Sequence, residues 1–289
     1  MVQRDRVSAN AHAVTRPSEP ISIAHGSARV HMIPAASDNL SWLLEYRRGE
    51  VAVIDGPSFT PILEYCQRYQ LCVTHIINTH IHGDHIGVNR GLAKAKVAKP
   101  DLFSLEMEVW GAEKTASSIP ELTRGLVEGD SVTLGQLKGE VWLTEGHLDG
   151  HLSYVFWDQT REAALGEGSK AALFCGDTLF GAGCGKLFDG PPASMFSSLS
   201  RLSRLPSDTF VFCAHEYTED NLRFAQFAYP DNVAISERLK QCIEQRSHGE
   251  STLPSTIELE RCTNPFILCG TEDRFTELRA QKDRGEHRL

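Results

Sequence analysis

From residue 28 onward, short apolar runs alternate with polar, turn-forming breaks, which is the pattern of a chain that folds through many short strands. Residues 28–33, 41–44 and 51–54 are separated by Ser37-Asp38-Asn39 and Arg47-Arg48-Gly49-Glu50, and predict a meander. Over 61–69 the period changes: Ile62, Leu63, Cys66 and Tyr69 fall at helical spacing. A buried strand follows at 74–78 and a short helix at 88–95. Residues 132–134 and 140–143 bracket Gly135 to Gly139 as a hairpin. Strands at 153–157 and 171–175 flank a polar loop, a helix falls at Met195, and 210–213 is the last strand. Beyond His215 the spacing is helical throughout: Leu222, Ala225, Gln226 and Tyr229, then Ile235, Leu239, Cys242 and Ile243, then 257–260. The organisation expected is a flexible extension over 1–20, an α/β sandwich over 21–215 and a helical domain over 216–289.

Composition narrows the function classes. A net charge of -9 and a pI near 5.7 give no basic field for phosphate backbones, which argues against nucleic acid as a partner. Eight cysteines lie scattered without a CxxC pair and read as reduced thiols. No apolar run approaches a membrane span, and the N-terminus lacks the apolar core of a secretory signal. A monomeric, cytoplasmic protein is expected. Arg4, Arg6 and Arg16 offer organelle targeting as the less favoured reading, because Asp5 and Glu19 spoil an acid-poor leader.

The candidate chemistry sits at strand ends. Thr79-His80-Ile81-His82-Gly83-Asp84-His85 puts three imidazoles and a carboxylate just beyond the 74–78 strand, and these ligand types suit zinc, iron and manganese alike. Two pairs, enough for two ions, leave that loop. A second histidine loop, 144–151, carries His147 and His151 after the hairpin. Asp177, flanked by Gly176 at the tip of another apolar strand, suits a carboxylate that offers one oxygen to each of two ions. Ala214-His215-Glu216 follows the last strand. Asp55, ending the 51–54 strand, is either an acceptor for a ligand imidazole or a turn residue before Gly56-Pro57.

The pattern HxHxDH resembles the signature of the metallo-β-lactamase superfamily. That resemblance implies an αββα sandwich with a C-terminal helical domain, and it points to the later histidine of GHxxGH, His151, as the ligand with His147 supporting it. The expected set is then His80, His82 and His151 on one ion, Asp84, His85 and His215 on the other, and Asp177 between them. Asp84 and Asp177 are the catalytic carboxylates, and a metal-bridging hydroxide is the nucleophile of a hydrolase.

Further stretches are similar to glyoxalase II, the hydroxyacylglutathione hydrolases, in the same order: Gly176-Asp177-Thr178-Leu179-Phe180, Gly183-Cys184-Gly185-Lys186, His215-Glu216-Tyr217-Thr218, Pro254-Ser255-Thr256 and Asn264-Pro265-Phe266. The family would imply hydrolysis of S-D-lactoylglutathione to D-lactate and glutathione, in methylglyoxal detoxification, with two divalent ions, zinc foremost and iron or manganese as alternatives. By the same resemblance Lys186 and Tyr217 contact glutathione from the sandwich, and Arg279 and Lys282 reach its carboxylates from the last helix. Phe188 stands where many members carry a tyrosine that hydrogen-bonds glutathione, and Ile54-Asp55-Gly56-Pro57 departs from a usual aspartate-proline pair. The nearest alternative is a glutathione persulfide dioxygenase with a single iron. A nuclease of the superfamily conflicts with the acidic charge.

Overall fold

The computed structural model describes residues 12–161 and 164–288. Two mixed sheets face each other. The first runs β1 (Ile21–Ile23), β2 (Ala28–Ala35), β3 (Asn39–Arg47), β4 (Glu50–Ile54), β5 (Cys72–Ile77), β6 (Phe103–Ala112) and β7 (Arg124–Leu126), side by side in chain order. β1 to β4 are antiparallel neighbours. From β4 onward the strands are parallel: α1 (Thr60–Tyr69) crosses over between β4 and β5, α2 (Gly87–Ala98) between β5 and β6, and a connection through a short helical turn at Glu113–Ser118 leads to β7.

The second sheet is built from β8 (Ser131–Leu134), β9 (Leu137–Leu143), β10 (Leu152–Asp158) and β11 (Ala172–Gly176). A small hairpin, β12 (Leu179–Phe180) with β13 (Gly183–Cys184), and α3 (Pro192–Leu202) precede β14 (Phe210–Cys213), which pairs parallel to β11. The tail supplies α4 (Thr218–Ala228), α5 (Val233–Ser247), the edge strand β15 (Ser255–Thr256) beside β14, then α6 (Ile257–Thr263), α7 (Pro265–Leu268) and α8 (Glu272–Asp283).

Apolar alternation explains the layers. Trp42, Ile54, Phe174 and Phe212 point between the sheets, with Trp42 and Phe174 each about one ring-width from Phe212, at 5.0 and 5.1 Å between centroids. The opposite faces of β3 to β5, through Leu43, Val51, Val53 and Ile76, bury Ile62, Cys66, Val88 and Leu92 of α1 and α2. The tail is joined by a buried ion pair: Glu260 of α6 accepts from Arg238 of α5 at 2.8 Å and, with its other oxygen, from the Ala182 main-chain N–H at 2.8 Å in the hairpin turn. The result is an αββα sandwich carrying a helical C-terminal region, as expected.

Residues 1–11 of the expected flexible extension lie outside the described residues. Over 12–16 the expectation is corrected: Val14 is buried in the core, and main-chain hydrogen bonds tie Ala13 to Ser37 and Thr15 and Arg16 to Gly249. All eight cysteines are free thiols. Among the described residues no helix is long and apolar enough to cross a membrane.

Candidate metal centre

Five strands end at one edge of the sandwich, and each hands the chain to a polar side chain there. β4 ends at Asp55, β5 leads to His80–His85, the β9–β10 connection carries His147 and His151, β11 leads to Asp177, and β14 leads to His215. Two sets of ligand atoms converge: His80, His82, His147 and Asp177 form one, and Asp84, His85 and His215 the other, with the atoms of each set within 4.8 Å of one another.

The tautomers follow from the far nitrogen of each ring. The Thr79 hydroxyl donates to Asp55 at 2.6 Å, so it accepts from His80 Nδ1 at 3.1 Å, and His80 Nε2 keeps its lone pair. His147 Nδ1 donates to the Lys186 carbonyl at 2.7 Å, which leaves Nε2 unprotonated and facing His82 Nδ1 at 3.0 Å. His80 Nε2 also faces His82 Nδ1, at 2.9 Å. In the second set, His85 Nδ1 lies 2.9 Å from Asp55 and His215 Nδ1 lies 2.8 Å from Asp38, so both rings turn Nε2 inward. A carboxylate or carbonyl on the outer nitrogen is the arrangement that orients ligand imidazoles and strengthens their basicity.

Asp177 stands between the sets. Its Oδ1 is 3.5 Å from both His85 Nε2 and His215 Nε2, and its Oδ2 is 3.5 Å from His147 Nε2. Asp177 Oδ1 and His85 Nε2 are buried and have no hydrogen-bond partner among the described residues. Orphaned buried polar atoms are costly, and here they point at a common centre with nitrogen and oxygen donors around it, so the residues fit divalent cations.

The electrostatics agree. Burial pushes the His80, His82 and His147 rings below the usual imidazole range and keeps them neutral. Burial also opposes charge on His215, but hydrogen bonds to Asp38 and Asp84 raise its pKa to about 9. For His85 burial is likewise outweighed, by Asp177 and Asp55, and its pKa lies well above the usual value. Burial raises the Asp177 carboxyl, and the charges of His85 and His215 outweigh it, so the group is held far below the ordinary range. Hydrogen bonding to His215 does the same for Asp84. In the second set the protonated His85 and His215 offset the charges of Asp84 and Asp177, so a cation bound there would take the place of those ring protons.

His151 is corrected. Its Nε2 accepts the Asp177 main-chain N–H at 3.2 Å, and its Nδ1 lies 3.2 Å from the hydroxyls of Thr144 and Thr178. Both ring nitrogens are engaged, so no lone pair reaches the centre; the ring stacks on His80 and anchors Asp177 instead. Its close approach requires Gly176, where φ is +45° and a Cβ would lie 2.9 Å from His151 Nε2 and 2.3 Å from Thr79 Oγ1. Of the two roles open for Asp55, it takes the acceptor's, receiving the Thr79 N–H at 2.9 Å besides His85.

Two functional residues were unmarked in the sequence. Asp38 aligns His215, and Asn39 donates from Nδ2 to Asp84 Oδ2 at 2.9 Å; both had been read only as a turn. A polar Asp-Asn pair opening a strand that runs beside the last ligand was the available signal.

Around the mouth, exposed Phe188 sets its ring edge-on to His82 and His147, each 5.2 Å between centroids, with Lys186 Nζ 5.8 Å from that ring. Tyr217 stacks on His215 at 4.8 Å. In α8 the two cations are enclosed. Arg279 donates to the Cys184 carbonyl at 3.2 Å and pairs with Asp283 at 2.8 Å, while its Nε lacks a partner among the described residues. Lys282 lies on the Phe224 ring and 3.4 Å from Asp220, in the helix that starts just after Tyr217. Lys186, Phe188 and Tyr217 therefore border the centre, whereas Arg279 touches the strand that leads to Lys186 rather than the opening.

Comparison with known proteins extends this picture. Residues 37–215 match the metallo-beta-lactamase superfamily, and residues 216–285 match the family described as hydroxyacylglutathione hydrolase C-terminus. A hydroxyacylglutathione hydrolase from Gloeothece citriformis is 39% identical over 268 residues, 88% of this chain and 99% of that protein. One from Hahella chejuensis is also 39% identical, over 87% of this chain and 97% of its own. Among solved structures, ETHE1 from Myxococcus xanthus is similar with a TM-score of 0.56 at 21% identity, covering 84% of this chain and 86% of that one, a likeness of fold.

Proposed function

The chain belongs to the hydroxyacylglutathione hydrolase family of the metallo-β-lactamase superfamily, and from that membership we propose that it hydrolyses S-D-lactoylglutathione to D-lactate and glutathione at a two-cation centre, zinc being the leading candidate. His80, His82 and His147 would hold one ion and Asp84, His85 and His215 the other, with Asp177 shared. The observation that carries the reading is the placement of Asp177, whose two oxygens face the two histidine sets separately. When bound, such ions supply Lewis acidity and bring the pKa of water toward about 7.

The residues of the chain do the rest. Asp55, Asp38 and the Lys186 carbonyl fix the imidazole tautomers, so no ring must reorient when the site is charged. Burial raises the thiols of Cys175, Cys184 and Cys213, which leaves them poor nucleophiles. The leaving group is itself a thiol with an ordinary pKa of about 8.5, so it departs as thiolate without a protein acid. Lys186 and Tyr217 at the mouth, and Lys282 behind Tyr217, offer donors to the carboxylates and amides of a glutathione tail. Arg279 supports the same loop through the Cys184 carbonyl. The free cysteines, five of the eight buried, support a reducing, cytoplasmic setting.

The alternative, a single-iron dioxygenase acting on glutathione persulfide, would leave the second set without an ion. Purified protein supplied with zinc or iron should hydrolyse S-D-lactoylglutathione without consuming oxygen. Oxygen uptake on glutathione persulfide, with one iron per chain and an inert thioester, would reverse the assignment.

A further inference from the structure

The segment from His12 to Arg16 lies outside both matched regions, yet it grips the turn that orients the second ligand set. The Val14 N–H donates to His12 Nδ1 at 2.7 Å, so His12 carries its proton on Nε2, which donates to the Asn39 carbonyl at 2.8 Å. The Ala13 N–H donates to the Ser37 carbonyl at 2.7 Å. Both ends of the Ser37-Asp38-Asn39 turn are therefore held from outside. On its other side the segment binds the tail: the Thr15 and Arg16 N–H groups both reach the Gly249 carbonyl at 2.9 Å, and Arg246 of α5 donates to the carbonyls of Ala13 and Glu250. Gly249 has φ +75°, and a Cβ there would lie 2.0 Å from Thr15 Oγ1, so the approach depends on glycine. Val14, 2% exposed, nails the strip into the core.

We propose that this strip is a clasp that positions the second ion site, and only that site, through the turn it holds. The claim rests on the two-cation reading above. Asp38 reaches His215 and Asn39 reaches Asp84, so two of the three residues of the second set take their orientation from the clasped turn. The first set takes its orientation from Thr79 and Lys186, and none of its hydrogen-bond partners among the described residues belongs to the turn. His12 acts as a positioning residue, two contacts removed from the ligand Asp84.

The test measures the dissociation constants of both ions by chelator competition, together with thermal unfolding, in the wild type and in His12→Ala, His12→Gln and Val14→Ala. His12→Ala should weaken the second ion by about 10-fold, the lower end of what changes beside metal ligands cost, and leave the first within about twofold. His12→Gln keeps a donor that can reach the Asn39 carbonyl and should restore most of the loss. Val14→Ala should lower the unfolding temperature without a preference for either ion. His12→Ala that binds both ions as wild type does, or that weakens both equally, would overturn the clasp while leaving the centre intact. A wild type that takes up fewer than two ions would overturn the two-cation reading, and the clasp with it.

Discussion

His147 and His151 sit four residues apart in one loop and differ in what their nitrogens face. His147 spends Nδ1 on a carbonyl and keeps Nε2 for the centre, whereas His151 spends both nitrogens on protein groups. His147→Ala should therefore lose one ion and nearly all turnover. His151→Ala should retain two ions and lose about 10–100-fold in activity, because it disturbs the Asp177 main chain rather than a ligand bond. Metal content and kcat/KM of the two variants decide it, and the reverse order would restore the ligand role to His151. The sequence reading chose His151 over His147 because spacing places both histidines in the loop, and only the partner of the second nitrogen separates them.

Lys282 adds a pH dependence at the same scale. Burial lowers its pKa to about 8 even though Asp220 opposes the shift. In the free enzyme Lys282 is then cationic below about pH 8 and neutral above it, so its attraction for a substrate carboxylate fades as pH rises through that value. kcat/KM for S-D-lactoylglutathione should fall on the alkaline side, mainly through KM, since the contact is remote from the reacting bond. Lys282→Arg keeps its charge and should flatten that limb. An unchanged limb in the arginine variant would remove Lys282 from substrate binding.

Among the elements, the strands that deliver ligands were the most legible, since each is an apolar run that stops at a polar cluster. β6 was not anticipated, although Phe103, Leu105, Met107 and Val109 alternate with Ser104, Glu106 and Glu108 in strand period. Its beginning is irregular, with a register shift opposite β5 between Val73 and His75 and Leu105 fully exposed, which breaks the simple inside-outside rule. The helices of the tail were visible from spacing, but the device that joins them to the sandwich was not. Glu260 and Arg238 are each buried, and Glu260 also accepts from the Ala182 N–H of the hairpin turn and from the side chain of Asn264 just beyond α6. Glu260→Ala would strand the Arg238 charge, a loss on the order of 3–5 kcal/mol. Denaturant unfolding should register that loss, and a change below about 1 kcal/mol would mean the pair contributes little to tail docking.

Across the whole molecule, the sandwich supplies the candidate ion ligands and the tail places the Lys282 cation behind Tyr217, so in the proposed function catalysis and recognition meet along one edge. Charge and composition carried the expectation against nucleic acid, and the ligand loops were enough to point to metal hydrolysis. The strip at 12–16 was misread as flexible because it is held by main-chain hydrogen bonds and by single side chains, His12 and Val14, which leave no periodic trace in the sequence. Asp38 and Asn39 escaped notice for a related reason: turn residues are read for backbone shape, and their side chains find the centre only after β3 and β14 are brought together.

The central claim is a seven-residue centre in which Asp177 joins two ions and His147 is a ligand. Anomalous diffraction from crystals grown with zinc tests it directly. Two anomalous peaks should appear, one against Nε2 of His147 and one against Nε2 of His215, with Asp177 touching both. A single peak, or a peak coordinated by His151 with His147 turned away, would contradict the account.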